Sequence, residues 1–276
     1  MDQINSPDDD FQSKITRQEE ILACFSQDGI ISISSLSAQF GVSEITIRRD
    51  LLDLERKGKI ERVRGGARIA RSHSYEPPVV HRQMEQVAEK EAIALGARDL
   101  IRDGETIALE SGSTAQALAK AISQKKWQQL QVVTNSLLTV NLLISVPGIQ
   151  TTFIGGFVDP NEMCTYGKLA EEVLGRLHVD KYFCGCRGIT PSFGRSNEIQ
   201  TGIEVGTVKA FAKAAGQIIV LADHTKFGKT FSLQLLDISE IDTIITTDQA
   251  PREMLEEIQR LGVHILGSSL ENEFPG

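Results

Sequence analysis

The chain has 276 residues but no run of eighteen or more apolar ones, so no segment reads as a membrane-spanning helix and no membrane partner is expected. Residues 1–10 are polar and acidic and lack the basic-then-apolar order of a secretory leader, and they read as a short disordered tail. Cysteine is scarce. The four, Cys24, Cys164, Cys184 and Cys186, are scattered; with no export signal they point to reduced thiols and a cytoplasmic protein. None of the five histidines, His73, His81, His178, His224 and His264, has ligand spacing. Cys184 and Cys186 alternate on one strand, with only His178 near in sequence, so they read as core thiols and no metal is expected. Internal repeats and low-complexity segments are also missing.

What is present is a 41% apolar composition, enough for a real core, on a length that suits one small and one large domain. The net charge of −8 argues against nucleic acid as a sum, but its distribution does not. Between residues 48 and 71 nine cations (Arg48, Arg49, Arg56, Lys57, Lys59, Arg62, Arg64, Arg68, Arg71) face four acids (Asp50, Asp53, Glu55, Glu61). A basic patch on an acidic body suits one face that meets phosphate, though on charge alone a solvated helix face fits equally.

Thr16-Arg17-Gln18-Glu19 forms a capping box that opens a first helix with Ile15, Ile21, Leu22 and Phe25 at helical spacing, ended by Gly29. Ser34 is expected to cap a short second helix with Leu36 and Phe40 inward, broken by Gly41. Ser43 is expected to cap a third, running to about Lys57 and closed by Gly58. Alternating residues around Gly65-Gly66 then predict a β-hairpin. Residues 72–86, with Pro77-Pro78, read as the linker between domains at 14–71 and 87–270. Beyond it, apolar β-rich runs at 106–109, 131–134, 151–154, 182–186, 218–222, 243–245 and 263–266 are separated, in most cases, by helical patterns at 114–122, 136–146, 169–177, 205–215 and 251–261. That rhythm implies an α/β domain with a largely parallel sheet covered on both faces.

On the third helix Ile47, Leu51 and Leu54 share one stripe, and the opposite surface carries Glu44, Thr46, Arg48, Arg49, Asp53 and Arg56. Such a helix can enter a major groove, its first turn (Ser43, Glu44, Thr46) meeting base edges. Arg62, Arg64 and Arg68 of the hairpin can reach phosphates, and Gly65 and Gly66 let backbone amides approach. Geometry alone also fits a three-helix protein-interaction module. The stretch Val42-Ser43-Glu44-Ile45-Thr46-Ile47-Arg48-Arg49-Asp50-Leu51, followed by Arg62-Val63-Arg64-Gly65-Gly66-Ala67, resembles the signature of the DeoR family of bacterial regulators. The resemblance implies a winged helix-turn-helix that binds double-stranded operator DNA.

Glu110-Ser111-Gly112-Ser113-Thr114 follows a strand and opens a helix, an arrangement that can cradle an anion, although a turn that merely caps the helix has the same look. Thr134-Asn135-Ser136 repeats it after the next strand, and Gly155-Gly156 ends a third, all where open α/β sheets bind ligands. In this order the pieces resemble the DeoR-family effector domain, related in fold to ribose-5-phosphate isomerase; further matches include Lys90, Gly167, Lys209 and Asp223-x-x-Lys226. The resemblance implies that Ser111, Gly112, Ser113 and Thr114 hold the phosphate of a sugar effector, with Asp223 and Lys226 at the same site. Three positions depart from the family pattern. Glu110 stands for Asp, Arg195 for an aliphatic residue, and an acid expected at Val205 falls one earlier, at Glu204. Arg195 reads either as an extra cation for an acidic effector or as a surface arginine in a mobile loop.

The reading is therefore a non-enzymatic regulator without a cofactor, a repressor of a carbohydrate operon, assembled as a dimer or tetramer to match repeated half-sites. A sugar-phosphate isomerase, which needs a positioned base and acid, and a protein-interaction scaffold are the alternatives.

Overall fold

A computed structural model describes residues 17–25, 30–56, 59–69, 77–197 and 205–268. The chain divides into two compact units, residues 1–77 and 78–276. Thr16, Gly29, Lys57, Gly58, residues 72–76 of the expected linker, Glu204 and residues 269–270 lie outside the described residues.

The first unit contains helix α1 (17–23), strand β1 (Ile31–Ser32), helices α2 (Ile33–Phe40) and α3 (Glu44–Arg56), and strands β2 (Ile60–Val63) and β3 (Gly66–Ile69). Its core is the expected helical stripe: Ile21, Leu22, Leu36, Ile47, Leu51 and Leu54, closed by Ile60 and Ala67 from the strands. Ser43 caps α3 as predicted, its Oγ accepting from Thr46 N at 3.2 Å. For α2 the expectation was wrong. Ser32, not Ser34, is the cap, accepting from Ser35 N at 3.0 Å, because β1 holds Ser32 extended directly before the helix. That strand was not anticipated and turns the hairpin into a three-stranded sheet, order β1-β3-β2. Its close approach explains Gly66, where a Cβ would stand 2.2 Å from Ile31 O. Gly65 serves the turn itself, at φ +85°. Asp50, 1% exposed, ties α3 to α1 by accepting from Arg17 Nε at 2.7 Å and Gln18 Nε2 at 3.3 Å.

The second unit runs through α4 (Val79–Arg82), α5 (Val87–Asp99), β4 (Thr106–Leu109), α6 (Ser113–Ser123), β5 (Leu130–Thr134), α7 (Leu137–Leu143), β6 (Ile149–Phe153), β7 (Phe157–Asp159) and β8 (Cys164–Tyr166). It continues with α8 (Lys168–Leu174), β9 (Lys181–Gly185), β10 (Gly188–Thr190), β11 (Gly194–Asn197), α9 (Val205–Ala214), β12 (Ile218–Leu221), β13 (Leu233–Leu236), β14 (Thr243–Thr247), α10 (Arg252–Arg260) and β15 (His264–Ser268). Residues 79–86, read from sequence as linker, belong to this unit: Val79 is buried, its N–H donates to Asn161 O at 2.9 Å, and Arg82 pairs with Glu162.

All seven predicted strands enter one seven-stranded sheet, order β15-β14-β12-β9-β4-β5-β6, with every neighbour parallel. Alternation along each strand sends Ala108, Tyr182, Cys184, Val220 and Ile244 to one face, under α8, α9 and α10. Ile107, Leu109, Phe183, Ile219 and Ile245 go to the other, under α5, α6 and α7. From β4 the chain winds outward through β5 and β6; β9 returns beside β4 and the winding reverses through β12, β14 and β15. This reversal is a topological switch point, and in open α/β sheets ligands bind at the carboxyl ends of the strands at such a point. Two antiparallel pieces were not read from sequence, the β7–β8 hairpin and the β10-β11-β13 sheet.

Candidate nucleic-acid and effector sites

The buried stripe of α3 leaves Ser43, Glu44, Arg48 and Arg49 exposed and Thr46 half-buried. Arg68 is tied to Glu61, donating to Oε2 from Nε at 2.9 Å and Nη2 at 2.7 Å, but the other cations are only lightly committed. Arg48 lies 3.3 Å from Glu44 and Arg62 lies 3.8 Å from Glu55, exposed pairs that exchange readily for phosphate. Arg49 and Arg64 make no ion pair among the described residues. Sequence reasoning passed over Ile45. It is 65% exposed in the first helical turn, and its signal was an apolar residue lying off the Ile47–Leu51–Leu54 stripe. Two candidates prove more structural than expected: Ser43 spends its hydroxyl on the cap, and Gly66 is buried beneath β1.

In the second unit the residues of the predicted effector site gather at the strand ends. The loop after β4 enters α6 with Gly112 at the cap (φ 134°), and no side chain satisfies the helix's first N–H groups. Those open donors and the positive end of an eleven-residue helix lie just beyond the carboxyl end of β4. The neighbouring loop orients it: Asn135 Oδ1 accepts from Ser111 N at 3.1 Å, while Asn135 Nδ2 donates to Thr165 O at 2.9 Å. Thr134 and Ser136 are committed to structure, Thr134 Oγ1 donating to Leu109 O at 2.6 Å and Ser136 Oγ capping α7. Gly155 stands open, whereas a Cβ on Gly156 would meet Tyr166 O at 2.4 Å, so that glycine serves the approach of β8.

Arg195 is not a surface residue in a mobile loop. It lies on β11 at 5% exposure and donates through Nη2 to both oxygens of Glu110, at 3.1 and 2.8 Å. Glu110 also accepts from Tyr182 Oη at 2.6 Å, and burial beside that carboxylate raises the phenol well above its ordinary range. The two departures from the family pattern thus meet each other. On the far side of β9, Asp223 is fully buried; Oδ1 accepts from Thr225 N at 3.0 Å, and Oδ2, without a hydrogen bond, lies 3.7 Å from Lys226 Nζ. Lys90, 3% exposed, donates to Glu85 O at 2.7 Å; burial, with Lys226 nearby, lowers its pKa to about 8. The Cys184 and Cys186 thiols are pushed by burial up to about 12 and remain neutral; Cys186 stands within the fields of Lys226, Arg195 and Asp223. Glu89 was missed: it accepts from His224 Nδ1 and Thr247 Oγ1, both at 2.6 Å, contacts 135 and 158 residues apart that no local pattern reveals.

Comparison with known proteins supplies the rest. Residues 17–73 match the DeoR-like helix-turn-helix domain, and residues 85–248 match the DeoR C terminal sensor domain. The HTH-type transcriptional regulator GolR of Listeria innocua is 31% identical over 251 residues, spanning 90% of this chain and 96% of its own. The HTH-type transcriptional repressor GlcR of Bacillus subtilis is 32% identical over 89% of this chain and 93% of its own. The L-fucose operon activator of Haemophilus influenzae is 31% identical over 85% and 92%. Among solved structures, ribose 5-phosphate isomerase A from Neisseria gonorrhoeae covers 50% of this chain and 52% of its own at 19% identity and a TM-score of 0.35. No helix among the described residues is long and apolar enough to cross a membrane. With both of its domains matched in order, the chain belongs to the DeoR family of DNA-binding transcriptional regulators.

Proposed function

We propose that this regulator represses a carbohydrate-use operon and that a phosphorylated sugar, bound at the strand ends of the sensor domain, changes its affinity for double-stranded operator DNA. The observation that carries the reading is the uncapped start of α6 at the switch point, on a chain whose α3 exposes arginines over a fully buried apolar back. In this reading Ser111, Gly112, Ser113 and Thr114 hold the phosphate, through the backbone N–H groups of the last three and the Ser111 hydroxyl, with Asn135 holding the Ser111 N–H, while Asp223 and Lys226 meet sugar hydroxyls. Ser43, Glu44, Thr46, Arg48 and Arg49 face base edges or phosphates, and Arg62, Arg64 and Gly65 flank them.

The effector must prefer one arrangement of paired DNA modules, since equal affinity for both states shifts nothing; a cytoplasmic dimer or tetramer supplies the pairing. Binding suits the sensor better than turnover. Glu110 and Glu89 are both engaged, and Asp223 alone among these three keeps an open oxygen, whereas isomerisation needs an acid and a base together.

The test is a gel-shift titration with DNA from upstream of the gene and of its neighbours, over a range of salt and with a panel of pentose and hexose phosphates. The expected result is a retarded complex whose log affinity falls linearly with log salt and which at least one sugar phosphate dissolves. A protein that retards none of these fragments, or that interconverts aldose and ketose phosphates, would overturn the proposal.

A further inference from the structure

The Arg195 guanidinium reaches the tip of β4 at the switch point, where it holds Glu110. Nη2 is fully used. Nε and Nη1 are buried and have no hydrogen-bond partner. A buried donor left unmatched is costly, and here two nitrogens of one charged group are unmatched beside the carboxyl end of β4. Glu110 does not meet the need, because both of its oxygens already serve Nη2 and one also serves Tyr182. The neighbouring charges add to the imbalance: among the described residues Asp223 is the one acid paired with Lys226, at 3.7 Å, and the Lys90 ammonium donates to the Arg82 and Glu85 carbonyls.

The position of Arg195 separates it from the phosphate cradle. Its strand pairs with Ile189 and Leu236, which belong to the core on the Tyr182 and Cys184 face of the sheet. The loop at Ser111–Thr114 leads instead into α6, which packs on the opposite face with Leu109 and Phe183. A molecule lying across the strand tips would meet N–H donors at both ends.

We propose that Arg195 forms a second anion subsite, so that the effector is a doubly acidic sugar phosphate carrying a further carboxylate or phosphoryl group. This rests on the sugar-phosphate reading above and narrows it. The shared chemistry is an anionic group that offers two or more acceptor oxygens to Nε and Nη1.

Calorimetric titration of the full-length protein with matched ligands tests it. Glucose 6-phosphate against 6-phosphogluconate isolates the carboxylate, and fructose 6-phosphate against fructose 1,6-bisphosphate isolates a second phosphoryl group. The doubly acidic member of one pair is expected to bind at least tenfold more tightly. Because Arg195 alone cannot be removed without stranding Glu110, the variant is the charge-neutral double Glu110→Gln/Arg195→Gln, its folding checked by thermal melting. It should lose the tenfold preference while keeping its affinity for the singly phosphorylated member. Equal affinity within both pairs overturns the second subsite and leaves the sugar-phosphate reading standing, as does a preference that survives in the double variant. If no member of either pair binds, the sugar-phosphate reading fails first and the subsite with it.

Discussion

Asp50 in the winged module and Glu110 in the sensor domain are both buried acids that hold an arginine, at 1% and 6% exposure. Asp50 takes Arg17 on one oxygen and Gln18 on the other, and the Arg17 side chain still reaches solvent at 18% exposure. Both carboxylate oxygens are matched, and the one cation of the cluster has an outlet to water. Its product is a fixed angle between α1 and α3, which keeps the arginines at 48 and 49 free to face outward. Arg195 has no such outlet, being buried with two nitrogens unmatched. A pair that only braces a fold needs no spare donors, and under the subsite proposal the difference between the two clusters is that between a brace and a binding surface.

The largest effect expected from breaking this comparison is at Glu110. Glu110→Ala strands a buried guanidinium and should cost the sensor domain roughly 3–5 kcal/mol, read as a lowered midpoint in denaturant. Asp50→Ala should cost less, about 2–4 kcal/mol, because Arg17 can turn to water; it should melt the winged module and abolish the gel shift while leaving sensor-domain unfolding unchanged. Equal costs at the two sites would erase the distinction. Arg49→Ala should leave stability within about 0.5 kcal/mol of the parent, since the side chain is exposed, yet weaken DNA binding and lower the salt slope by about one.

The smallest effect is in pH. Lys90 titrates near 8 in the folded sensor, so its charge is present at pH 7 and lost by pH 9, and affinity for an anionic effector should fall severalfold across that interval. The sign for stability is opposite. Between pH 8 and 10.5 the unfolded chain holds this proton and the folded chain does not, so Lys90 contributes stability as pH rises. Lys90→Met should flatten both profiles.

Much of this was legible in the residues. The five inner parallel strands announced themselves because each is a short, mostly apolar run largely buried on both faces, and the α3 stripe because three aliphatics repeat at helical spacing. The segments that escaped are short and polar: Gly194-Arg195-Ser196-Asn197 has no alternation of its own and is a strand only because β10 and β13 flank it. Ser32 escaped as a cap because its extended backbone is imposed by β3, thirty-odd residues on. The loops at Ser111–Thr114 and Thr134–Ser136 looked alike in sequence, yet the first enters α6 without a side-chain cap, while the second spends its hydroxyls on the Leu109 carbonyl and the cap of α7. Composition identified both as candidates, and only the packing distinguished them. Glu110 and Arg195 were each noted as departures, but 85 positions separate them, and nothing local declares that they touch.

Gly66 has a consequence for how the module would meet a duplex. Strand β1 leads straight into α2 and α2 into α3, while β3 carries the turn at Gly65, so the gap between helix and wing is set where β1 and β3 cross. One hydrogen atom occupies the place where any other residue would put a carbon 2.2 Å from the Ile31 carbonyl. The span between the two parts offered to DNA is therefore gauged by a missing methyl, and a residue that touches no base can still decide whether helix and wing reach the same stretch of duplex.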